Sequence, residues 1–283
     1  MYYKKLLLAF SMIALTLSGC IGDTSDPFGE PVDETEFLEE NAQKEDVTVT
    51  QSGLQYRVLE DSDGEKPFNG AVVFVEYEGR LINDDVFVRT TQLDYFELND
   101  EIISGIHEGV QLMEVGSTYE LVLPPELGYG DEPPAGSPIH PGSVLVFDIT
   151  LDSFLQDPNQ FLAENAERED IQVTDSGLQY RVIEEGSGTS PDDDSTVLVN
   201  YSGTFTNGYE FDASQSGGES FSLAQGTQNS VIPGFSEGIQ LMEEGATYEF
   251  FIPADIGYGD DTPQSIPEGA VLVFEVELLA VSS

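Results

Sequence analysis

The amino-acid sequence predicts an α+β protein that contains the same domain twice, each copy being an antiparallel sheet with one short helix on its apolar face. Three observations predict this class. Phrases from the first half of the chain return in the same order in the second half, apolar residues alternate with a period of two along most segments, and each copy has one central segment with helical spacing. An antiparallel sheet and an amphipathic helix bury both of their apolar faces by packing on one another.

The chain begins with a predicted export signal, residues 1–19. Two lysines are followed by the apolar run Leu6–Leu17, which is too short to span a bilayer comfortably, and then by Leu17-Ser-Gly-Cys20. This tetrapeptide resembles the bacterial lipobox, which implies cleavage before Cys20 and lipidation of its thiol. An ordinary signal peptide with an incidental cysteine is the alternative. Because Cys20 is the only cysteine, the mature protein is expected to contain no internal disulfide.

Residues 20–35 are predicted to form a flexible tether between the lipid and the first domain. They contain glycine, proline, serine and several acidic residues but little apolar content. Ile21 follows Cys20, and the absence of aspartate at this place resembles lipoproteins that are passed on to the outer membrane. The resemblance implies a lipid-anchored protein of the cell envelope, on the outer membrane facing the periplasm.

The charge of the chain excludes some partners. It carries 54 acidic and 9 basic residues, and removal of the signal takes away two lysines, which leaves a formal charge of −47. Such a polyanion repels nucleic acid and anionic lipid surfaces, so neither is an expected direct partner. An aromatic content of 10% argues against wholesale disorder. We interpret the charge as a solvated acidic surface. Since salt screens the repulsion between like charges, our hypothesis is that a salt-rich habitat allows the protein to tolerate this charge.

Four paired phrases define the internal repeat. Their offset changes only between 124 and 129 residues, which indicates two homologous domains with small loop insertions or deletions and not a short-period solenoid. The pairs are Ser52–Val58 with Ser176–Val182, Glu108–Glu114 with Glu237–Glu243, Leu127–Asp131 with Ile256–Asp260, and Val144–Phe147 with Val271–Phe274. We place the first domain at residues 36–156 and the second at residues 157–283.

Strands account for most of each copy, because apolar residues recur at every second position. In the second copy the alternating faces are Val197, Val199 and Tyr201, then Tyr248, Phe250 and Ile252, and finally Leu272, Phe274, Val276 and Leu278.

One short amphipathic helix interrupts the strands of each copy. After Pro233 and Gly234, the residues Phe235, Ile239 and Met242 recur at helical spacing. The equivalent residues of the first copy are Ile106, Val110 and Met113.

A second helix is predicted at the start of each domain. Asp157 and Pro158 have the residue types of an N-cap and a first helical turn, and Phe161, Leu162 and Ala166 form an apolar stripe after them. Thr35, Phe37, Leu38 and Ala42 repeat this pattern more weakly.

The ordered motifs resemble a known family. Five segments of the second copy are similar to the signature of the FKBP-type peptidyl-prolyl isomerases: Val231–Met242, Tyr201–Gly203, Phe211-Asp212, Gly257–Gly259 and Val271–Leu278. The resemblance covers roughly residues 36–283.

The start of each domain resembles one branch of that family. Phe161–Ala166, followed by Ser176–Tyr180, is similar to the bacterial exported branch, which includes the macrophage infectivity potentiator proteins. The resemblance implies an isomerase that acts on proline-containing segments of exported proteins while they fold.

The resemblance also implies a half-wrapped sheet around one helix, with an aromatic pocket that receives a prolyl ring. Carried over to the second domain, the catalytic residues would be Tyr201, Phe211, Asp212, Ile232 and Tyr258. The substrate-binding residues would be Phe221, Val231, Phe235, Ile266 and Phe274. Aromatic residues at alternating strand positions usually belong to the core, and Phe221 and Phe274 are expected to serve both purposes.

The expected chemistry needs no cofactor and no metal, because isomerisation makes and breaks no covalent bond. We expect the Tyr258 hydroxyl and the Ile232 backbone N–H to donate hydrogen bonds to the substrate. Asp212 is expected to orient Tyr201 or the substrate carbonyl.

The first domain departs from the pattern. Val88 stands where the second domain has Asp212, Ile106 replaces Phe235, Ser104 replaces Pro233, and the loop before the helix is four residues shorter. The pocket positions that remain aromatic or apolar are Tyr77, Phe87, Phe96, Tyr129, Ile139 and Phe147. We therefore expect a weak or inactive isomerase, or a module that holds peptides.

Other functions find little support in the sequence. His107 and His140 have no cysteine or histidine partner at zinc-ligand spacing, and Asp61–Gly64 is too short for a helix–loop–helix calcium site. The alternative to an isomerase is a binding module in which both domains hold unfolded chains without catalysis.

Overall fold

The computed structural model describes residues 33–224, 231–259, 262–263 and 265–282. The predicted signal, Cys20 and the predicted tether up to residue 32 lie outside the described residues. The chain divides between Phe154 and Leu155 into two compact units, which we call the first and the second unit. Within the described ranges, no helix is both long and apolar enough to cross a membrane.

The first unit consists of two helices and seven strands. The helices are α1 (Glu34–Asn41) and α2 (Ser104–Leu112). The strands are β1 (Thr48–Val49), β2 (Gln55–Glu60), β3 (Val72–Leu81), β4 (Val86–Arg89), β5 (Asp94–Glu97), β6 (Thr118–Leu123) and β7 (Leu145–Phe154). They form one antiparallel sheet in the order β1-β2-β6-β7-β3-β4, and β5 also pairs with β3.

The second unit repeats this arrangement. Its helices are α3 (Pro158–Ala166) and α4 (Pro233–Gln240). Its strands are β8 (Gln172–Val173), β9 (Gln179–Glu184), β10 (Thr196–Phe205), β11 (Glu210–Ala213), β12 (Glu219–Ser222), β13 (Thr247–Ile252) and β14 (Leu272–Ser282). The order is β8-β9-β13-β14-β10-β11, with β12 on β10, so the predicted fold class of two like α+β domains is confirmed.

The central helix of each unit packs closely on its sheet because two glycines face the sheet. In α4, a Cβ atom added to Gly238 would lie 2.8 Å from the Phe250 ring, and one added to Gly234 would lie 2.6 Å from Ile252. Each helical glycine costs about 1 kcal/mol of helix propensity. The close approach that they allow brings Phe235 of α4 against the sheet, where it is 4% exposed. The equivalent glycines of α2 are Gly105 and Gly109.

The N-terminal helix of each unit packs on the opposite face of the sheet. Phe37 and Leu38 of α1 contact Val122 and Val146, which alternate with the β6 and β7 residues that face α2. In the second unit the Phe161 ring of α3 lies 6.0 Å from the Phe251 ring.

The same polar contacts fix both N-terminal helices. The Asp157 carboxylate accepts a hydrogen bond from the Gln160 backbone N–H at 2.9 Å, which is the predicted N-cap. The buried Asn165 amide donates to Gln179 Oε1 at 2.9 Å, and Gln179 Nε2 donates to the Leu162 carbonyl at 2.8 Å. The equivalent pairs in the first unit are Asn41 with Gln55 and Gln55 with Leu38.

Candidate active site

A cluster of five aromatic rings lies between α4 and the sheet of the second unit. At its centre is the buried Phe235 ring, and we call the set the Phe235 cluster. The ring centroids of Phe274, Tyr201, Phe221 and Phe250 lie 5.1, 6.0, 6.0 and 6.4 Å from that of Phe235. All four rings meet the Phe235 ring at steep angles, an arrangement favoured by aromatic quadrupoles. The cluster therefore forms a closely packed apolar floor between the helix and the sheet.

The Phe211 ring extends this floor because β10 has a glycine at the place where this ring packs. Gly203 pairs with Asp212 of β11 and with Phe274 of β14. A Cβ atom at Gly203 would lie 2.7 Å from the Phe274 ring and 3.0 Å from the Phe211 ring, and these two rings are 5.6 Å apart. Gly203 thus makes room for both rings. The sequence analysis placed it in a motif but not in the site, although an isolated glycine in a strand indicates such a close approach.

The hydroxyl of Tyr201 is held by two carboxylates at the edge of the cluster. It donates to Asp212 Oδ2 at 2.9 Å and lies 3.4 Å from Glu219 Oε2. Burial raises the pKa of Tyr201, and the hydrogen bond and charge of Asp212 raise it further. The hydroxyl therefore keeps its proton at neutral pH. Asp212 is therefore a hydrogen-bond partner of Tyr201, and its expected role in the site stays a prediction. Glu219 was not among the residues predicted for the site.

Tyr258 lies on a turn at the surface of the second unit. The turn follows the 3-10 segment Ala254–Ile256, and it closes where the Gly259 N–H donates to the Ala254 carbonyl at 2.9 Å, with Gly259 at a φ of +57°. The Tyr258 side chain is 36% exposed. Partial burial and the charge of Asp212 raise the pKa of Tyr258, so this hydroxyl is also a hydrogen-bond donor at neutral pH.

The remaining predicted residues are aliphatic. Ile232 is the N-cap residue of α4, and its carbonyl accepts hydrogen bonds from the N–H groups of Phe235 and Ser236 at 3.1 Å. Its own N–H has no acceptor among the described residues. Val231 precedes it and is half-buried. Ile266 is buried and lines a shallow surface depression together with Tyr258.

The first unit keeps part of this arrangement. The Phe87 and Phe147 rings are 5.5 Å apart at 85°, as close as the equivalent pair in the second unit, and Ile106 forms a buried floor. Val88 stands at the place of Asp212, as predicted from the sequence. The Tyr77 hydroxyl nevertheless has an acidic partner, because it donates to Asp94 Oδ2 at 2.8 Å.

A metal centre is not formed by the described residues. Within them, no three or more His, Cys, Asp or Glu side chains are grouped so that they could hold a metal ion.

The fold and the site together define a protein with two like units, each with a central helix packed on an antiparallel sheet and a tyrosine hydroxyl held by a carboxylate beside aromatic rings. The chain belongs to the FKBP-type peptidyl-prolyl cis-trans isomerase family, whose model matches residues 63–152 and 187–279. A model of the domain amino-terminal to FKBP-type isomerases matches residues 31–58 and 152–182, which include α1 and α3.

Several relatives are similar to part of the chain. The FKBP-type peptidyl-prolyl cis-trans isomerase FkpA of Aeromonas hydrophila is 47% identical over 122 residues, which are 43% of this chain and 44% of that protein. The outer membrane protein MIP of Legionella longbeachae is 40% identical over 127 residues, covering 43% and 51%. The crystal structure of FkpA from Escherichia coli matches with a TM-score of 0.41 and 36% identity over 44% of this chain and 57% of that one. The chain thus spans about half the length of the curated relatives it matches.

Proposed function

We propose that the protein is a peptidyl-prolyl cis-trans isomerase that assists the folding of exported proteins, with its activity mainly in the second unit. The observation that carries this proposal is the Phe235 cluster, with the Tyr201–Asp212 hydrogen bond at its edge. An apolar ring such as that of proline fits a floor of aromatic rings, and the edge supplies polar groups that face the peptide backbone.

The physical task of such a site is to favour a twisted amide. Rotation about a peptide bond has a barrier of about 18–20 kcal/mol, because it destroys amide resonance. Bonds to proline populate both isomers but exchange over tens to hundreds of seconds. A site accelerates the exchange if it binds the twisted amide more tightly than either planar form. Apolar surroundings do this, since the twisted amide is less charge-separated than the planar one.

The polar groups complete the proposed mechanism. The Tyr258 hydroxyl and the Ile232 N–H donate to carbonyls of the substrate backbone, while the prolyl ring rests on Phe235. Asp212 accepts the hydrogen bond of the Tyr201 hydroxyl and so fixes the orientation of this group at the edge of the cluster. No covalent bond is formed, so all of the rate enhancement comes from binding.

We expect the activity to depend little on pH. The raised pKa values of Tyr201 and Tyr258 mean that both hydroxyls retain their protons above the usual tyrosine pKa of about 10. The value of kcat/KM should therefore change less than about twofold from about pH 6 to about pH 9, a range below that pKa. A protease-free isomerisation assay with a short proline peptide measures this. A fall with a midpoint below pH 8 would contradict the assigned roles of the two tyrosines.

Separate fragments test where the activity lies. Residues 155–283 should retain most of the isomerase activity of the chain, and residues 33–154 should have little, because the Phe235 floor and Asp212 occur only in the second unit. Circular dichroism of each fragment serves as the folding control. Equal turnover by both fragments would refute the division. If neither folded fragment shows turnover but the fragments suppress the aggregation of an unfolded protein, the result would favour a binding module that holds unfolded chains without catalysis.

The proposed place of action is the cell envelope. Two of the relatives are named as an outer membrane protein and as FkpA, and the lipobox-like Leu17–Cys20 supports attachment through a lipid on Cys20. The proposed substrates are proline-containing segments of exported polypeptides.

A further inference from the structure

Tyr201 lies at a break in one edge of the sheet of the second unit. Along this edge, β11 pairs with residues Ser202–Thr204 of β10, and β12 pairs with residues Thr196–Val199. Asn200 and Tyr201 lie between the two paired segments and pair with neither strand. The backbone groups of Tyr201 on this side therefore need another partner.

Ser214 supplies that partner. The Tyr201 N–H donates to Ser214 Oγ at 2.9 Å, and the Tyr201 carbonyl accepts from the Ser214 N–H at 3.0 Å and from Ser214 Oγ at 3.3 Å. In an antiparallel strand, the N–H and the carbonyl of one residue point to the same side. Ser214 thus takes the place of a strand partner for both backbone groups of Tyr201, and its hydroxyl accepts the N–H.

The first unit has the same contact with threonine in place of serine. The Tyr77 N–H donates to Thr90 Oγ1 at 2.9 Å, and the Tyr77 carbonyl accepts from the Thr90 N–H at 2.9 Å and from Oγ1 at 3.3 Å. The break lies at the same place, between Val75, which pairs with β5, and Glu78, which pairs with β4. Serine and threonine share a hydroxyl on Cβ and differ by one methyl group. The contact therefore needs this hydroxyl and has room for the methyl.

The break also brings two carboxylates to the Tyr201 hydroxyl. Asp212 of β11 lies on one side of it at 2.9 Å, and Glu219 of β12 lies on the other at 3.4 Å. Ser214 directly follows β11, at the start of the turn that leads to β12. Tyr201 is thus held at its hydroxyl by Asp212 and at its backbone by Ser214, while its ring packs 6.0 Å from that of Phe235.

We propose that Ser214 is a positioning residue of the isomerase reaction and acts through Tyr201. Ser214 is not part of the Phe235 cluster, but it fixes the backbone from which the Tyr201 ring and hydroxyl extend to the edge of that cluster. A site whose groups are already in place spends less of its binding energy on ordering them when the twisted amide is bound. The inference rests on the proposed function, because it takes the second unit as the place of turnover.

A matched pair of substitutions tests the role of the Ser214 hydroxyl in the whole chain. Valine and threonine have nearly the same size, but only threonine has the hydroxyl. Ser214→Val should lower kcat/KM for a short proline peptide about tenfold, because the Tyr201 N–H loses its acceptor in a partly buried place. Most of the loss should lie in kcat, since the floor that receives the prolyl ring is unchanged. Ser214→Thr should stay within about twofold of wild type, because Thr90 makes the same contact in the first unit.

The control variant is Thr90→Val, which removes the equivalent hydroxyl from the first unit. It leaves the same kind of N–H without its acceptor, but kcat/KM should stay within about twofold of wild type, because the cost falls on the other unit. Thermal unfolding shows whether each variant is folded at the assay temperature.

A double-mutant cycle tests whether Ser214 acts through Tyr201. Tyr201→Phe removes the hydroxyl whose orientation Ser214 is proposed to fix. In this background, Ser214→Val should lower kcat/KM less than about threefold further, because two residues that act through one group do not have additive effects. A loss of stability alone would lower the activity by the same factor in both backgrounds.

Different results would overturn the inference and the proposed function. If Ser214→Val turns over as wild type does while Phe235→Ala does not, the inference is wrong and the proposed function stands. If Ser214→Thr loses as much activity as Ser214→Val, or if the effects in the cycle are additive, the hydroxyl of Ser214 does not position Tyr201. If the wild-type chain itself shows no turnover, the proposed function fails and the inference fails with it.

Discussion

Replacing Phe235 by alanine should lower kcat/KM for a proline peptide about 100-fold, since the substitution removes the proposed floor for the substrate ring. The same truncation typically costs about 3–5 kcal/mol of folding stability. The Phe235 ring contacts four other aromatic rings, so no neighbour can fill the space without moving several of them. The affinity for an FKBP-directed macrolide should fall as well, and by more than in Tyr258→Phe, which removes only one hydroxyl.

The control for this experiment is Ile106→Ala, the same truncation at the equivalent position of the first unit. It also leaves a buried cavity, but the isomerase activity should stay within about twofold of wild type, because its stability cost falls on the other unit. Thermal unfolding must show that both variants are folded at the assay temperature. A folded Phe235→Ala protein that binds the macrolide as tightly as wild type would show that the pocket lies elsewhere.

The chain from residue 33 onwards should become more stable as sodium chloride is added. Its melting temperature should be about 10 °C higher at 1 M salt than at low salt. For domains of this size, that shift corresponds to about 2–3 kcal/mol of unfolding free energy. Residues 155–283 contain 24 acidic residues and only two basic ones, Arg168 and Arg181. Arg181 pairs with Glu249 and Arg168 with Asp170, and two arginines cannot neutralise the other carboxylates of the second unit. Salt shortens the screening length from about 10 Å at 0.1 M to about 3 Å at 1 M, and the repulsion falls with it.

The first unit provides an internal comparison for the effect of salt. Its Arg80 guanidinium lies 2.6 Å from Glu120 and 2.9 Å from Asp148, and Glu120 also pairs with Arg57 at 2.8 Å. These charges are partly buried, so salt screens them less, and this unit should gain less stability than the second. Sucrose at matched osmolality controls for effects unrelated to charge. A melting temperature that stays flat or falls would remove the argument for a salt-rich habitat.

Much of the fold follows from local patterns. The repeated phrases predicted two like units, the period of two predicted strands such as β10 and β14, and Phe235 with Ile239 predicted α4. The helix ends at Gln240, before Met242, yet Met242 is fully buried as its place in the pattern predicted. Asp157 caps α3 as its residue type indicated. The strands, the helix and the cap depend on residues that are near in sequence, and the repeat is visible from comparing the chain with itself, so one sequence is enough to predict them.

The candidate site was predictable only in part. The Tyr201–Asp212 pair and four rings of the Phe235 cluster come from residues that the sequence had indicated for the pocket. Phe250, the fifth ring, had been predicted only as a strand residue. Gly203 was missed as a site residue, because its role depends on two rings from neighbouring strands that meet over it. Val231 and Ile266 were predicted to line the same pocket, and their part in substrate binding remains a prediction.

The tertiary structure alone decided which acid holds which tyrosine. A period of two tells which face of a strand a residue occupies, but not which residue of another strand lies beside it. Asp94 is 17 residues from Tyr77 and Asp212 is 11 residues from Tyr201, and the alignment of Val88 with Asp212 suggested that the first unit had lost its acid. The pairing of β5 with β3 brings Asp94 to the tyrosine instead. The sequence by itself determined the two units, their strands and helices and the family. The registers between strands determined the polar contacts beside each tyrosine. These contacts join residues that come close to one another only when the sheet is formed.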